Sequence, residues 1–148
     1  MAESIGSIIS IATGQPATSD QAGYEALSFT AIGNVASIGP YGDTHADITP
    51  PPDLATGRQL HFTGTRDGGE IPIACHTEDY SDAGQDAIRT ANGTLPNYSF
   101  KVADPDGNVD YFYGKVVSYR QIEKSASSYE GSEFTIRVNS DIVTVEAT

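Results

Sequence analysis

The chain has 148 residues, enough for one domain with one buried core, and 38% hydrophobic against 19% charged residues is the balance of a folded protein. Twenty acidic and eight basic side chains give a net charge of -12, which repels free nucleic acid within a Debye length and argues against a nucleic-acid-binding module. The same acidity suits a concentrated protein that must stay soluble, or one that must let nucleic acid pass without holding it.

Residues 1–23 are small and polar with sparse apolar points, and are expected to form an N-terminal arm ordered only by a partner. The run Ile5, Ile8, Ile9, Ile11 is short and no base precedes it, so neither a signal peptide nor a membrane span is expected. Residues 24–148 form the single domain. Leu27, Phe29 and Ala31 alternate with Ser28 and Thr30 as a half-buried strand does, and Gly33-Asn34 marks a bulge before Val35 to Ile38. Gly39 to Gly57 is expected as a long loop, which Pro50, Pro51 and Pro52 stiffen so that it projects. Arg58 to Thr65 and Glu70 to Thr77 are the next two strands, with Arg66-Asp67-Gly68-Gly69 as a hairpin turn between them. In the second, Ile71, Ile73 and Cys75 share a face, and the lone cysteine is a small buried hydrophobe that excludes an intramolecular disulfide.

One short helix follows, about Asp82 to Ala91. Asp82 with Gln85 resembles a capping box, and Asn92-Gly93 stops it. Its narrow apolar stripe of Ala83, Ala87, Ile88 and Ala91 predicts packing against a sheet. Tyr98, Phe100 and Val102 line one face of a strand that a tight turn, Asp104 to Asn108, joins to another, Val109 to Tyr119. In that second strand Phe112, Gly114 and Val116 oppose Tyr111, Tyr113, Val117 and Tyr119, so it should be covered on both sides, by the helix or by a neighbouring subunit on the second. A polar loop leads to a last strand, Phe134 to Asn139. The fold class is mainly β, a two-sheet sandwich or split barrel with one flanking helix.

The candidate constellations do not add up to chemistry. Asp104 to Asp110 looks at first like a calcium loop, but the sixth and twelfth positions are Val109 and Lys115, and a tight turn explains Asp-Gly. His76, Glu78, Asp79 and Asp82 lack a second histidine at ligand spacing, and the acids suit the helix start. With no nucleophile elbow, phosphate loop or paired carboxylates, neither an enzyme, a metal nor a cofactor is expected.

The helix with Gly84-Gln85, then Tyr-x-Phe-Lys-Val, then Asp-Gly-Asn-Val-Asp-Tyr-Phe-Tyr-Gly-Lys-Val-Val-Ser, then Phe-Thr-Ile-Arg-Val resembles the major tail tube proteins of long-tailed, lambda-type bacteriophages and related phage-like particles. The likeness is good from Asp82 to about Val143 and general from Phe29 to Glu78. An immunoglobulin-like C-terminal domain that some members carry is not seen. The resemblance implies a non-enzymatic virion subunit, assembled in the host bacterial cytoplasm, that closes into hexameric rings stacked as a tube. Tape-measure, tail-tip and terminator proteins would be its partners, and DNA would traverse the lumen without specific binding. Contacts between rings would then use Tyr41, Asp43, Pro50, Pro51, Pro52 and Asp53, while Ala83, Ala87 and Ile88 hold the helix to the sheet. Glu70, Glu78 and Asp110 become candidates for an acidic lumen wall. Two other readings stay open: a secretion-system tube protein of the same fold, and a monomeric carbohydrate-binding sandwich, against which the absence of tryptophan counts.

Overall fold

Alternation decides which side chains turn inward, and in the computed structural model, which describes residues 5–146, those inward faces meet around one core. The described elements are β1 (Ile8–Ala12), α1 (Gln21–Glu25), β2 (Thr30–Ala31), β3 (Val35–Ile38), β4 (Thr44–Ile48), β5 (Phe62–Asp67), β6 (Glu70–Cys75), α2 (Ala83–Ala91), β7 (Tyr98–Ala103), β8 (Val109–Gln121), β9 (Ser132–Val138) and β10 (Val143–Val145). The protein is mainly β. An eight-stranded antiparallel sheet runs β2-β1-β7-β8-β9-β6-β3 with β10 beside the start of β8, and β4 and β5 form a separate two-stranded sheet.

The two ends of the large sheet are halves of one extended run. Thr30 and Ala31 pair with Ile11 and Ser10, while Ser37 and Ile38 pair with Ala74 and Ile73. The sheet therefore returns on itself as a split barrel. The change of partner falls at Ile32 to Asn34, where Asn34 takes a φ of 62°, a left-handed conformation that asparagine tolerates. Expected as a bulge, this point is a strand switch.

Ile9, Ile11, Ile71, Ile73, Phe100, Phe112, Val116, Phe134 and Ile136 fill the interior, none more than 2% exposed. Phe100 and Phe112 stack with ring centroids 5.6 Å apart. Phe112→Ala should therefore cost about 3–5 kcal/mol, read as a lowered urea midpoint at unchanged slope.

Helix α2 enters the same core through Ile88 and Ala91. Asp82 caps it by accepting from the Gln85 amide at 2.9 Å. Its buried face is Gly84, Gln85, Ile88 and Ala91, with Ala83 exposed and Ala87 at the margin. Of the expected stripe Ile88 and Ala91 are buried and Ala87 packs at the core's edge, while Gly84 and Gln85 take the place of Ala83, because the helix presses backbone to backbone where Gly84 meets Ala31 and Ile32. The penalty of a buried charge applies to Ile88 more than to Ala87.

Several expectations need correction. The segment expected as a detached arm holds β1, which sits inside the sheet between β2 and β7; Met1 to Ser4 lie outside the described residues. Residues after β1 wrap the outer face. The Ser99 hydroxyl donates to the Gly14 carbonyl at 2.7 Å, Tyr24 stacks on Tyr111 at 5.2 Å, and Phe29 lies 5.9 Å from the same ring. The chain's own N-terminal segment thus covers Tyr111 at the start of β8, while Val117 further along the same strand is 44% exposed. The strand expected from Leu27 shrinks to Thr30–Ala31, because Asp20 caps α1 just before it, accepting from the Gly23 amide at 2.8 Å. A bulge between Val116 and Ser118 moves Tyr119 to the core side, where it stacks on Phe134 at 6.4 Å. The β7–β8 turn forms as expected, with Gly107 at φ 100°.

Candidate assembly surface

The stretch Thr44-His45-Ala46-Asp47-Ile48, expected within a loop, is strand β4. It pairs antiparallel with β5, Thr44 opposite Asp67 and Ile48 opposite Phe62. β5 does not pair with β6, so Arg66 to Gly69 is no hairpin turn. The local turn does form, with the Gly69 amide donating to Asp67 Oδ1 at 2.9 Å, but both edges of β6 are taken by β3 and β9. The four residues instead carry the chain from a two-stranded arm back into the barrel.

Beyond Ile48 and Phe62 the arm continues to a turned tip. Gln59 Nε2 donates to the Pro50 carbonyl at 2.6 Å, and Asp53 accepts the Gly57 amide at 2.7 Å on its carbonyl and the Ala55 amide at 3.1 Å on its side chain. From Thr44 to Leu54 such an arm extends up to roughly 35 Å. Residues 42–49 and 51–63 are all exposed. Alternation nevertheless gives the arm an apolar side, Ala46, Ile48, Leu60 and Phe62, of which Ile48 is 53%, Leu60 43% and Phe62 55% exposed. Leu54 at the tip is 100% exposed. The other side carries Asp47 and His61, with Nδ1 3.1 Å from Oδ2.

The root of the arm is tied down. Tyr41 is half-buried against Phe112, centroids 6.3 Å apart, and its hydroxyl donates to Asp110 Oδ2. Burial first, and that hydrogen bond next, push the hydroxyl pKa far above the usual phenol value. Asp110 also accepts from Thr144 Oγ1 at 2.7 Å. On the second strand, Arg66 Nη1 stands 3.1 Å from Asp141 and 3.9 Å from Asp43. Of the residues expected on a projecting loop, Pro50, Pro51, Pro52 and Asp53 lie near the tip, whereas Tyr41 and Asp43 belong to the root.

The three acids expected on a lumen wall are not together. Glu78 is enclosed: its side chain is 5% exposed, with Arg89 Nε at 3.6 Å, the Tyr119 hydroxyl donating at 3.3 Å and Gln121 Nε2 donating at 2.8 Å. It does not cap the helix. Asp110 is held at the arm root. Glu70 is exposed, on the outer face of β6, and pairs with Arg137 across the β6–β9 ladder. That outer face of β6 to β9 also carries Lys101, Lys115, Arg120 and Glu133, so half of the chain's eight bases lie on it. Arg89→Met should leave Glu78 enclosed without its cation, and cost about 2 kcal/mol or more; Glu78→Gln on that background should recover part of it in urea denaturation.

Among the described residues, no cluster of three or more His, Cys, Asp or Glu is placed to hold a metal ion. No helix in the described residues is long and apolar enough to cross a membrane. Gln85, which the sequence marks only as a capping residue, is buried in the fold. Its Nε2 donates to the Gly33 and Thr77 carbonyls, each at 3.0 Å, and pins the helix to the strand switch. Leu60, Phe62 and Gly64 share one face by alternation in the sequence, as in a core strand, but the structure leaves that face on the exposed arm.

Neither a protein-family model nor a curated protein matches the sequence. The fold, however, matches solved structures across nearly the whole chain. A chain of an extracellular contractile injection system, in a structure of the PVC sheath/tube terminator in the extended state, aligns over 99% of this chain and 97% of its own, with a TM-score of 0.67 and 10% identity. A chain of the anti-feeding prophage baseplate aligns over 98% and 95%, with a TM-score of 0.62 and 10% identity. A chain of the PVC sheath-tube complex aligns over 95% and 88%, with a TM-score of 0.62 and 11% identity. This is the fold of chains in phage-tail-like injection systems.

Proposed function

We propose that the chain is a structural subunit of a phage-tail-like tube, built by stacking rings of identical copies. The observation that carries this reading is the arm: two paired strands, exposed along their length, with an apolar side that nothing in the described chain covers. A monomer gains nothing from ordering such a surface, whereas a neighbour that buries Ile48, Leu60 and Phe62 recovers its transfer energy. The fold shared with chains of contractile injection systems supports the same reading, and the 6-fold symmetry named for the baseplate structure supports six copies to a ring. These neighbours favour a contractile particle over the lambda-type tail that the motifs resemble. In either, the subunit resides in the tail after assembly in the host cytoplasm, beside tape-measure, tip and terminator proteins, and catalyses nothing.

The net charge of -12 supports passage of DNA or another anionic cargo without retention. On the outer face of β6 to β9 only Glu70 and Glu133 are acidic, against Lys101, Lys115, Arg120 and Arg137. Repulsion, if that face lines the lumen, must therefore come from loops at the barrel ends.

Negative-stain imaging and sedimentation of the concentrated protein test the proposal. Rings or tubes of constant diameter are the expected result. A monomer across the whole accessible concentration range, with tail-initiating proteins also supplied, would overturn it.

A further inference from the structure

The split in the barrel leaves a groove, and the arm carries what would fill it. Between the start of β1 and strand β3 no ladder forms. β1 pairs with β2 only at Ser10 and Ile11, and β3 pairs with β6 on its far side. The gap holds about 590 Å³ and is lined by Ile5, Val35, Ile38, Tyr41, Val102 and Asp104 among others. One flank is β3, whose only ladder among the described residues is with β6, so its groove side is an open strand edge, the situation in which an added strand gains hydrogen bonds on entering. Ile5 is 83% and Ile8 50% exposed beside it.

Charge selects the occupant. No base pairs with Asp104 among the described residues, so a carboxylate stands alone on the groove lining. On the arm, Arg58 stands at the tip, just before Leu60 and Phe62 in the chain, and no carboxylate pairs with it among the described residues. The arm cannot fill its own groove. It departs at Gly42, immediately after groove-lining Tyr41, whose hydroxyl is bonded to Asp110, and folding back would break that bond and the β4–β5 ladder.

We propose that this groove receives the arm of a second copy of the chain. Leu60 and Phe62 lie against Val35, Ile38 and Val102, and the Arg58 guanidinium meets the Asp104 carboxylate. The inference rests on the tube reading and adds the place where the arm lands. Donor and acceptor surfaces are different parts of one chain, so the contact is head-to-tail and propagates instead of closing at a dimer.

Two measurements test it. Leu60→Cys protein mixed with Ala36→Cys protein should form one oxidised dimer on a denaturing gel that neither forms alone, Cys75 being 1% exposed in both. Arg58→Asp and Asp104→Arg should each raise the concentration needed for assembly about tenfold or more, and the two together should bring it back. If removing the arm stops assembly while the bridge and the charge rescue both fail, the tube reading stands and the groove assignment falls. If removing the arm leaves assembly intact, the tube reading itself falls. A bridge formed within one molecule of the Ala36→Cys/Leu60→Cys double variant also overturns the assignment.

Discussion

Replacing residues 49–61 by Asn-Gly, which joins Ile48 to Phe62 through a two-residue turn, should abolish tubes while leaving the barrel folded. The expectation follows from the separation of the two sheets. β4 and β5 pair only with each other, and the segment removed is exposed throughout apart from partly shielded Pro50. Its loss removes no side chain from the core and leaves the root contacts of Tyr41, Asp43 and Arg66 in place. Asn-Gly supplies the positive φ that a short hairpin turn requires. The melting temperature should stay within a few degrees of the parent, since changes on an exposed surface are worth about 0.5 kcal/mol. Assembly, read by sedimentation and imaging, should fall to nothing. Loss of the fold together with assembly would mean that the arm is part of the domain, and normal tubes would remove it from the assembly surface.

The legible parts of the chain were those in which local pattern and distant partner agree. β6, β7 and β8 alternate strongly, and each buries the face its alternation selects, as Ile71, Ile73, Phe100 and Phe112 show. The helix start was legible because Asp82 acts on an amide three residues away. β1 was not, because its five residues sit among small polar ones and its burial comes from β2 and β7, far along the chain. β4 was not, because Thr44 meets a partner as distant as Asp67, and a nearer turn signal at Gly68-Gly69 competed for β5. The arm has no core to fill, so no burial pattern marks it. Pro50 to Pro52 did mark the projecting end, since polyproline stiffness is a local property. Glu78 illustrates the opposite case: only the folded barrel brings Tyr119, Gln121 and Arg89 around it, and a carboxylate between strand and helix gives no sign of enclosure.

Gly84→Ala sets two effects of opposite sign against each other, and the larger should decide. Alanine is favoured over glycine inside a helix by about 1 kcal/mol, so at an open position the change would stabilise. At Gly84 a Cβ would stand 2.2 Å from the Ala31 carbonyl oxygen and 2.5 Å from the Ile32 Cα, both backbone atoms of the run that closes the barrel. Those atoms are not free to retreat. The Ile32 amide donates to the Ile9 carbonyl at 2.9 Å, the Gly33 amide donates to Asp82 Oδ2 at 3.1 Å, and Gln85 holds the Gly33 carbonyl. The helix must therefore lift, which withdraws Ile88 and Ala91 from the core and strains the strand switch. A net loss of about 3 kcal/mol or more is expected, and Gly84→Val should not fold at all. Ala83→Val, one residue earlier on the exposed side, should cost only the propensity difference of about 0.5 kcal/mol. Urea denaturation of the Gly84→Ala and Ala83→Val proteins separates the cases. If Gly84→Ala proves as stable as the parent, α2 does not press on the Ala31–Ile32 backbone, and the barrel is not held shut at its switch by this helix.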